Sequence, residues 1–374
     1  MLNWERLRED FVITKKYAYL ANAAASPIPK PVRDKAVTFY NDMLNYGDIL
    51  WDRWLEEIEQ TRIEYAKFIG ADSKEIGFTH STTEGMNIIA HMLSNKGKVI
   101  SNELEFPSSN LPWLNIGADI CFVKARNGKI LIKDIVNNIN GRTGTIITSH
   151  VQYSTGFRQD LVELSNLTKQ KGLYLVVNPT QSIGALYFDV KEFGIDFMAS
   201  DGHKWIISSY GVGVIYIRKR LLDDLDFKPP FFGQLGQKHR NTFNNMKLDI
   251  SQSASRFELG SPHFPNIFAL NAGIKYISKI GVMEIEKRIL YLTRYLIEKL
   301  QELNLCILSP LEEKHRSGIV VFKVDNTEEI IRKLEKEMII VSARGGGIRV
   351  SPHFYNNEED IDRLISVLKN SVRC

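Results

Sequence analysis

The chain has 374 residues, 44% of them hydrophobic, with 48 basic against 44 acidic side chains and a formal net charge of +4. That is enough apolar material for a sizeable core and for two domains. The small, evenly mixed charge argues against nucleic acid as a partner, and no apolar run is long enough to span a bilayer. Cys121, Cys306 and Cys374 form neither a Cys-x-x-Cys pair nor a metal-ligand spacing, so neither a disulfide scaffold nor a zinc site is indicated. Residues 1–10 are polar and charged rather than signal-like, and the cytoplasm is the expected compartment.

In chain order, residues 76–79 read as a short strand. Ser81-Thr82-Thr83-Glu84 follows with capping-box spacing, which predicts a helix running through Ile88 and Met92. From about residue 95, short apolar runs (98–101, 120–124, 145–149, 173–177 and 212–217) alternate with amphipathic stretches such as 161–171. Runs that are apolar nearly throughout suit strands buried on both faces. Strands alternating with helices predict an α/β fold with a largely parallel sheet. After Phe227 the prolines and glycines at 229, 230, 233 and 236 mark loops, and 241–255 is polar. An amphipathic pattern from 266 to 303 predicts one or two helices. Strand 318–324, helix 327–336, strands 338–342 and 347–351, and helix 358–369 then make a small α+β unit. The charged stretch 328–336 is interleaved with apolar residues and reads as a solvated helix face. The expected division is an N-terminal arm (1–20), a large domain (21–255) and a small C-terminal domain (256–374).

Ligands of open parallel sheets bind beyond the carboxyl ends of the strands. Three polar clusters fall at such places: residues 81–87 at a helix start suited to phosphate, Asn178-Pro179-Thr180-Gln181-Ser182, and Ser200-Asp201-Gly202-His203-Lys204-Trp205 with Gly211-Val212-Gly213 after it. Taken singly, each is explained more simply: a capped helix, a strand-to-helix turn, a surface lysine beside a packed tryptophan. Partial burial between His203 and Trp205 would, however, lower the pKa of Lys204 and favour its nucleophilic, neutral form.

In this order and spacing the pieces resemble the class V aminotransferases, the fold-type-I branch that includes cysteine desulfurases, kynureninases and isopenicillin-N-epimerase-like enzymes. The likeness runs from Tyr19-Leu20-Ala21-Asn22-Ala23-Ala24 to Arg349-Val350-Ser351-Pro352-His353-Phe354-Tyr355-Asn356 and is most specific at residues 201–205. It implies pyridoxal 5'-phosphate as cofactor, an amino-acid substrate and a homodimer with shared active sites. Lys204 would bond the cofactor as a Schiff base and move the Cα proton. Thr82 and Thr83 would hold the phosphate, with Asp201 and His203 supporting that end. Phe106 would stack on the ring, Gln181 would hydrogen-bond the phenolic oxygen, and Gln152 or Tyr153 would lie beside it. Arg349 would clamp the α-carboxylate, a task suited to paired guanidinium donors. Ser261 would reach the phosphate of the neighbouring subunit. Residues 22–29, beginning with Asn22, together with 51–54 and 231–240, would shape the substrate pocket.

Two positions depart from the family pattern. Asn178 stands where an aspartate normally pairs with the pyridine nitrogen, so the ring becomes a weaker electron sink. The stretch 309–351 lacks the mobile cysteine of desulfurases; Cys306 and Cys121 are expected to be buried, and persulfide transfer is not expected. The leading expectation is an aminotransferase-like enzyme of small amino acids. A lyase or epimerase on the same scaffold, or a degenerate cofactor-binding protein of low activity, is the alternative. A nicotinamide enzyme is disfavoured, because no Gly-x-Gly-x-x-Gly opens a helix after a strand.

Overall fold

The computed structural model describes residues 2–224, 227–239 and 246–371. Its centre is a seven-stranded sheet with spatial order Ile76–Thr79, Gly213–Ile217, Phe197–Asp201, Tyr174–Asn178, Thr143–Ser149, Lys98–Asn102 and Ile120–Val123. The last five run parallel, whereas Gly213–Ile217 is antiparallel to both of its neighbours. The mainly parallel α/β sheet agrees with the sequence. Strand Phe197–Asp201 was not expected from it.

Side-chain alternation explains why these strands are apolar throughout. Ile147, Val176, Phe197 and Ile215 enter one core cluster, together with Met86, Ile89 and Trp113. Their chain neighbours Ile146, Leu175, Met198 and Val214 enter another on the opposite face. Each strand is thus covered on both sides. Register brings the polar strand ends to one edge: Ser149 pairs with Asn178, and Gly213 pairs with both Asp201 and Thr79.

Helix Thr82–Met92 starts where its capping residues place it. Ser81 Oγ accepts the Glu84 N–H at 3.2 Å, but the Glu84 carboxylate takes the His80 N–H at 2.6 Å rather than closing the box on Ser81. The helix seats on the sheet through Gly85, where a Cβ would come within 2.7 Å of the Ala199 Cβ.

The amphipathic stretch after residue 264 is two helices, Phe264–Ile280 and Val282–Glu302, separated by Gly281 at φ 95°. The C-terminal unit is a three-stranded antiparallel sheet, Ser342–Arg344, Gly347–Val350 and Val320–Phe322, with helices Thr327–Lys336 and Glu358–Ser371. The single strand expected over 338–342 is divided, and Ile339–Ile340 pairs in parallel with Ala18–Tyr19 near the N-terminus. Ala18 and Leu20 accordingly share a core with Leu296, Phe322, Ile348 and Leu364.

Two cysteines differ from expectation. Cys306 is exposed and Cys121 is half-buried. Cys121 lies on Ile120–Val123, the edge strand of the large sheet, which is covered incompletely. Cys306 precedes the marginal bridge Ile307–Phe322 at the rim of the small sheet. Cys374 and residues 240–245 of the loop region lie outside the described residues. Among the described residues no helix is long and apolar enough to cross a membrane, and no cluster of three or more His, Cys, Asp or Glu could hold a metal.

Gly85→Val is expected to cost about 1–3 kcal/mol, the usual range for overpacking a filled interface. A lower urea midpoint with an unchanged slope would register it.

Candidate active site

Lys204 lies in a tight loop just past strand Phe197–Asp201. The loop is closed by Gly202 N–H to the Val212 carbonyl at 3.2 Å and by Ser208 N–H to the Gly202 carbonyl at 3.0 Å. The Ile207 N–H donates to the Lys204 carbonyl at 3.1 Å, and this turn forces Ile207 to φ 54°. A β-branched residue in left-handed backbone costs roughly 1–3 kcal/mol and persists only where packing over-determines it. The packing is supplied by Trp205, which is wholly buried. Its indole N–H donates to Gln181 Oε1 at 2.9 Å, and its carbonyl accepts from His353 Nε2 at 3.1 Å. His353 Nδ1 accepts the Phe354 N–H at 2.7 Å, so the proton sits on Nε2. Burial drives this imidazole down to about 3, which keeps it neutral.

The Lys204 amine enters a cleft lined by Thr82 and Thr83 at the helix start, by Phe106, Ser108, Ser149 and Tyr153, by Asn178, Thr180 and Gln181 at a strand end, and by Asp201. The cavity itself is small, about 50 Å³. Lys204 Nζ is 5.6 Å from the centre of the Phe106 ring. The Tyr153 ring stands edge-on to Phe106, with centroids 5.1 Å apart at 87°. Desolvation is the main cause that lowers the Lys204 pKa to about 8; Asp201 pulls it up and Arg349 pushes it down.

Of Gln152 and Tyr153, Tyr153 lines the cleft. Gln152 is buried behind it, with Nε2 donating to Glu105 Oε1 at 2.6 Å and Oε1 without a partner. Glu105 escaped the sequence reading although it adjoins Phe106. Its carboxylate also takes the Ser149 N–H at 2.6 Å and Asn102 Nδ2 at 3.0 Å, and so ties two strand ends together.

Asn178 accepts the Thr180 N–H on Oδ1 at 3.0 Å and donates from Nδ2 to Ser109 Oγ at 3.0 Å. A backbone N–H can only donate, so the amide orientation is determined. One Asn178 N–H is left for a ligand. Gln181 likewise spends Oε1 on Trp205 and one N–H on the Ala23 carbonyl at 3.0 Å, with its second N–H left over.

Arg349, on strand Gly347–Val350, donates to the Tyr153 carbonyl at 3.0 Å. It is buried, its Nε has no partner, and it pairs with no carboxylate among the described residues. Burial lowers its pKa to about 10, reinforced by Arg344. His203 stacks on Tyr210 at 4.2 Å and is pushed down to about 4, mainly by burial. Asn22 is buried outside the cleft wall and accepts the Tyr355 hydroxyl at 3.1 Å. Ser261 is exposed beside a separate cleft that holds His80 and Glu84.

A flat aldehyde carrying a phosphate fits this set: Lys204 would meet the aldehyde, Phe106 would offer a plate for the ring, Asn178 and Gln181 each keep an N–H for a ring heteroatom, and Thr83 at the helix start would meet the phosphate. One N–H at the phosphate end, that of Thr82, is already taken by Asp201 at 2.7 Å. Fold and site together define a fold-type-I pyridoxal-phosphate enzyme.

The family model for aminotransferase class-V matches residues 18–364. A probable cysteine desulfurase of Pyrococcus abyssi is 30% identical, covering 99% of this chain and 98% of that protein. The apo cysteine desulfurase of Thermococcus onnurineus NA1 superposes with a TM-score of 0.91 at 28% identity, covering 100% of this chain and 98% of the other. C-DES, described as a cystine C–S lyase, shares the fold with a TM-score of 0.89 at 21% identity, covering 96% and 98%; one of its structures carries glycine covalently linked to the PLP cofactor. The chain belongs to the class-V aminotransferase family, and its cofactor is pyridoxal 5'-phosphate.

The lowered Lys204 pKa has a measurable consequence for folding. Below about pH 8 the folded protein buries an ammonium, while the unfolded lysine stays charged up to 10.5. Between these values the unfolded chain holds more protons, so the destabilisation fades as pH rises. Lys204→Met should therefore stabilise the cofactor-free protein at pH 7 by up to about 3 kcal/mol. Urea midpoints of both proteins should converge between pH 8 and 10.5.

Proposed function

We propose that the chain is a pyridoxal-phosphate lyase of small α-amino acids, in which Lys204 holds the cofactor and moves the Cα proton while Arg349 holds the α-carboxylate. The observation that carries this reading is Arg349: a buried guanidinium with an unpartnered Nε and no carboxylate partner among the described residues, whose charge reaches Lys204. Leaving such a cation unpaired is costly, and a substrate carboxylate would relieve it.

When bound, the cofactor supplies an electrophilic aldehyde carbon and a ring that accepts the electron pair left at Cα. The chain's own groups do the rest. Lys204 Nζ, half neutral near pH 8, takes the proton from Cα and can return it. The Tyr153 carbonyl aims the guanidinium, and the Phe106 and Tyr153 rings narrow the mouth against water. Trp205 holds the lysine loop through Gln181 and His353.

Neutral Asn178 favours elimination over transamination. It can donate a hydrogen bond but offers no negative charge to keep a ring nitrogen protonated, so the pair at Cα is better spent at once in expelling a β-substituent. The resemblance to cysteine desulfurases supports a lyase. Residues 309–351 contain no cysteine, so sulfur expelled from a cysteine-type substrate would leave without a carrier thiol from that segment. Transamination is the second reading, favoured by the family's own description and by the ability of Lys204 to return a proton. The same reading places the protein in homodimers, with exposed Ser261 directed to the neighbouring copy.

Incubation with L-cysteine, or with another small amino acid bearing a β-leaving group, should without an amino acceptor release pyruvate, ammonia and the expelled group, which for cysteine is hydrogen sulfide. Conversion of the bound cofactor to its amine form, without these products, would favour transamination instead. Arg349→Ala should raise KM about 10- to 100-fold for substrates bearing an α-carboxylate, the value of a lost charge-assisted bond, with a smaller change in kcat. Asn178→Asp should speed exchange of the Cα proton with deuterated solvent; unchanged or slower exchange refutes the role given to that amide.

A further inference from the structure

Strands Ser342–Arg344 and Gly347–Val350 form a tight hairpin, turned by Gly345 and Gly346 at φ 64° and 81°. Ser342 lies opposite Arg349, Ala343 opposite Ile348, and Arg344 opposite Gly347. Ile348 turns into the core of the small domain. Alternation therefore sends Arg349 to the other face, and Arg344 to that face with it. The two are diagonal neighbours, a relation that leaves residues about 7–8 Å apart and within reach of long side chains. This face looks onto the cleft. Arg349 donates to the Tyr153 carbonyl at 3.0 Å, and at Gly345 the hairpin abuts the Ser154 carbonyl so closely that a Cβ would collide with it.

Two guanidinium groups thus share one face, and neither pairs with an acid among the described residues. Arg349 is buried, whereas Arg344 is exposed and donates to the carbonyl of its neighbour Ala343 at 2.8 Å. After burial, the charge of Arg344 is the chief cause that lowers the Arg349 pKa. By contrast, Arg8, Arg62, Arg126, Arg158 and Arg288 each pair with a carboxylate. An α-carboxylate satisfies one cation of the hairpin. The other calls for a second anion.

We propose that the cleft takes small α-amino acids whose side chain ends in an acid: Arg349 holds the α-carboxylate, and Arg344, on the same hairpin face at the rim, meets the side-chain acid. The inference rests on the lyase reading and names its substrate class. Where the acid can leave, as in O-phospho-L-serine, the Cα proton goes to Lys204. The Cβ–O bond then breaks with its electron pair going to phosphate, and water hydrolyses the remainder to pyruvate and ammonia. Because Arg344 is exposed, its contribution is that of a partly screened pair, about fivefold in affinity at low ionic strength and less as salt is raised.

The test measures binding of L-aspartate and L-asparagine to the full-length, cofactor-loaded protein. The two ligands differ in side-chain charge but hardly in shape, and dissociation constants are read from the change in cofactor absorbance. The parent should prefer aspartate about fivefold at low salt. Arg344→Gln should abolish the preference, and Arg344→Lys, which keeps the charge, should retain most of it. Pyruvate release from O-acetyl-L-serine, whose side chain is neutral, follows the lyase reading separately. Equal affinities in the parent, or a preference unchanged in Arg344→Gln, overturn the role of Arg344 while pyruvate release leaves the lyase standing. A preference that depends on Arg344 without any pyruvate supports the substrate class and overturns the lyase. No response to either amino acid, with the cofactor bound at Lys204, overturns both.

Discussion

The cleft depends on one constraint: a primary amine is kept from water at the edge of a sheet. Desolvation is the main cause that pulls the Lys204 pKa from 10.5 to about 8, and the neighbouring charges work in opposite directions. Keeping the amine there requires a rigid loop. Rigidity comes from the left-handed turn at Ile207 and from Trp205, whose two polar groups are both spent on holding neighbours. Were the loop free to swing outward, the lysine would regain its hydration and, with it, an ordinary amine's reluctance to attack.

Much of this was legible in the sequence. The parallel sheet followed from apolar runs separated by helical patterns, and period-two burial of Ile146/Ile147 and Leu175/Val176 shows why those runs carry no polar alternation. The clusters at 81–87, 178–182 and 200–205 converge because register aligns the ends of their strands. Other features were not legible. Strand Phe197–Asp201 is only five residues long and ends in Ser-Asp, so propensity gives it little signal. The partners of Gln152 and Asn178 are set by three-dimensional neighbours, Glu105 and Ser109, that no spacing rule reveals. Cys306 was misread as buried because an apolar run does not disclose that it lies on a sheet's rim.

Charge is distributed unevenly over the groups that line the cleft. At the strand end Tyr174–Asn178 the side chain is a neutral amide whose oxygen is committed to the backbone, whereas a carboxylate stands at the helix start.

Trp205 has a further consequence. Besides gripping His353, its ring lies so close to Gly318 that a Cβ there would approach within 2.4 Å. Gly318 precedes strand Val320–Phe322, which pairs directly with the strand bearing Arg349. One indole therefore wedges the amine's loop against the sheet that carries the guanidinium. Any enlargement of residue 318 would press on that indole and so on the loop that carries the amine.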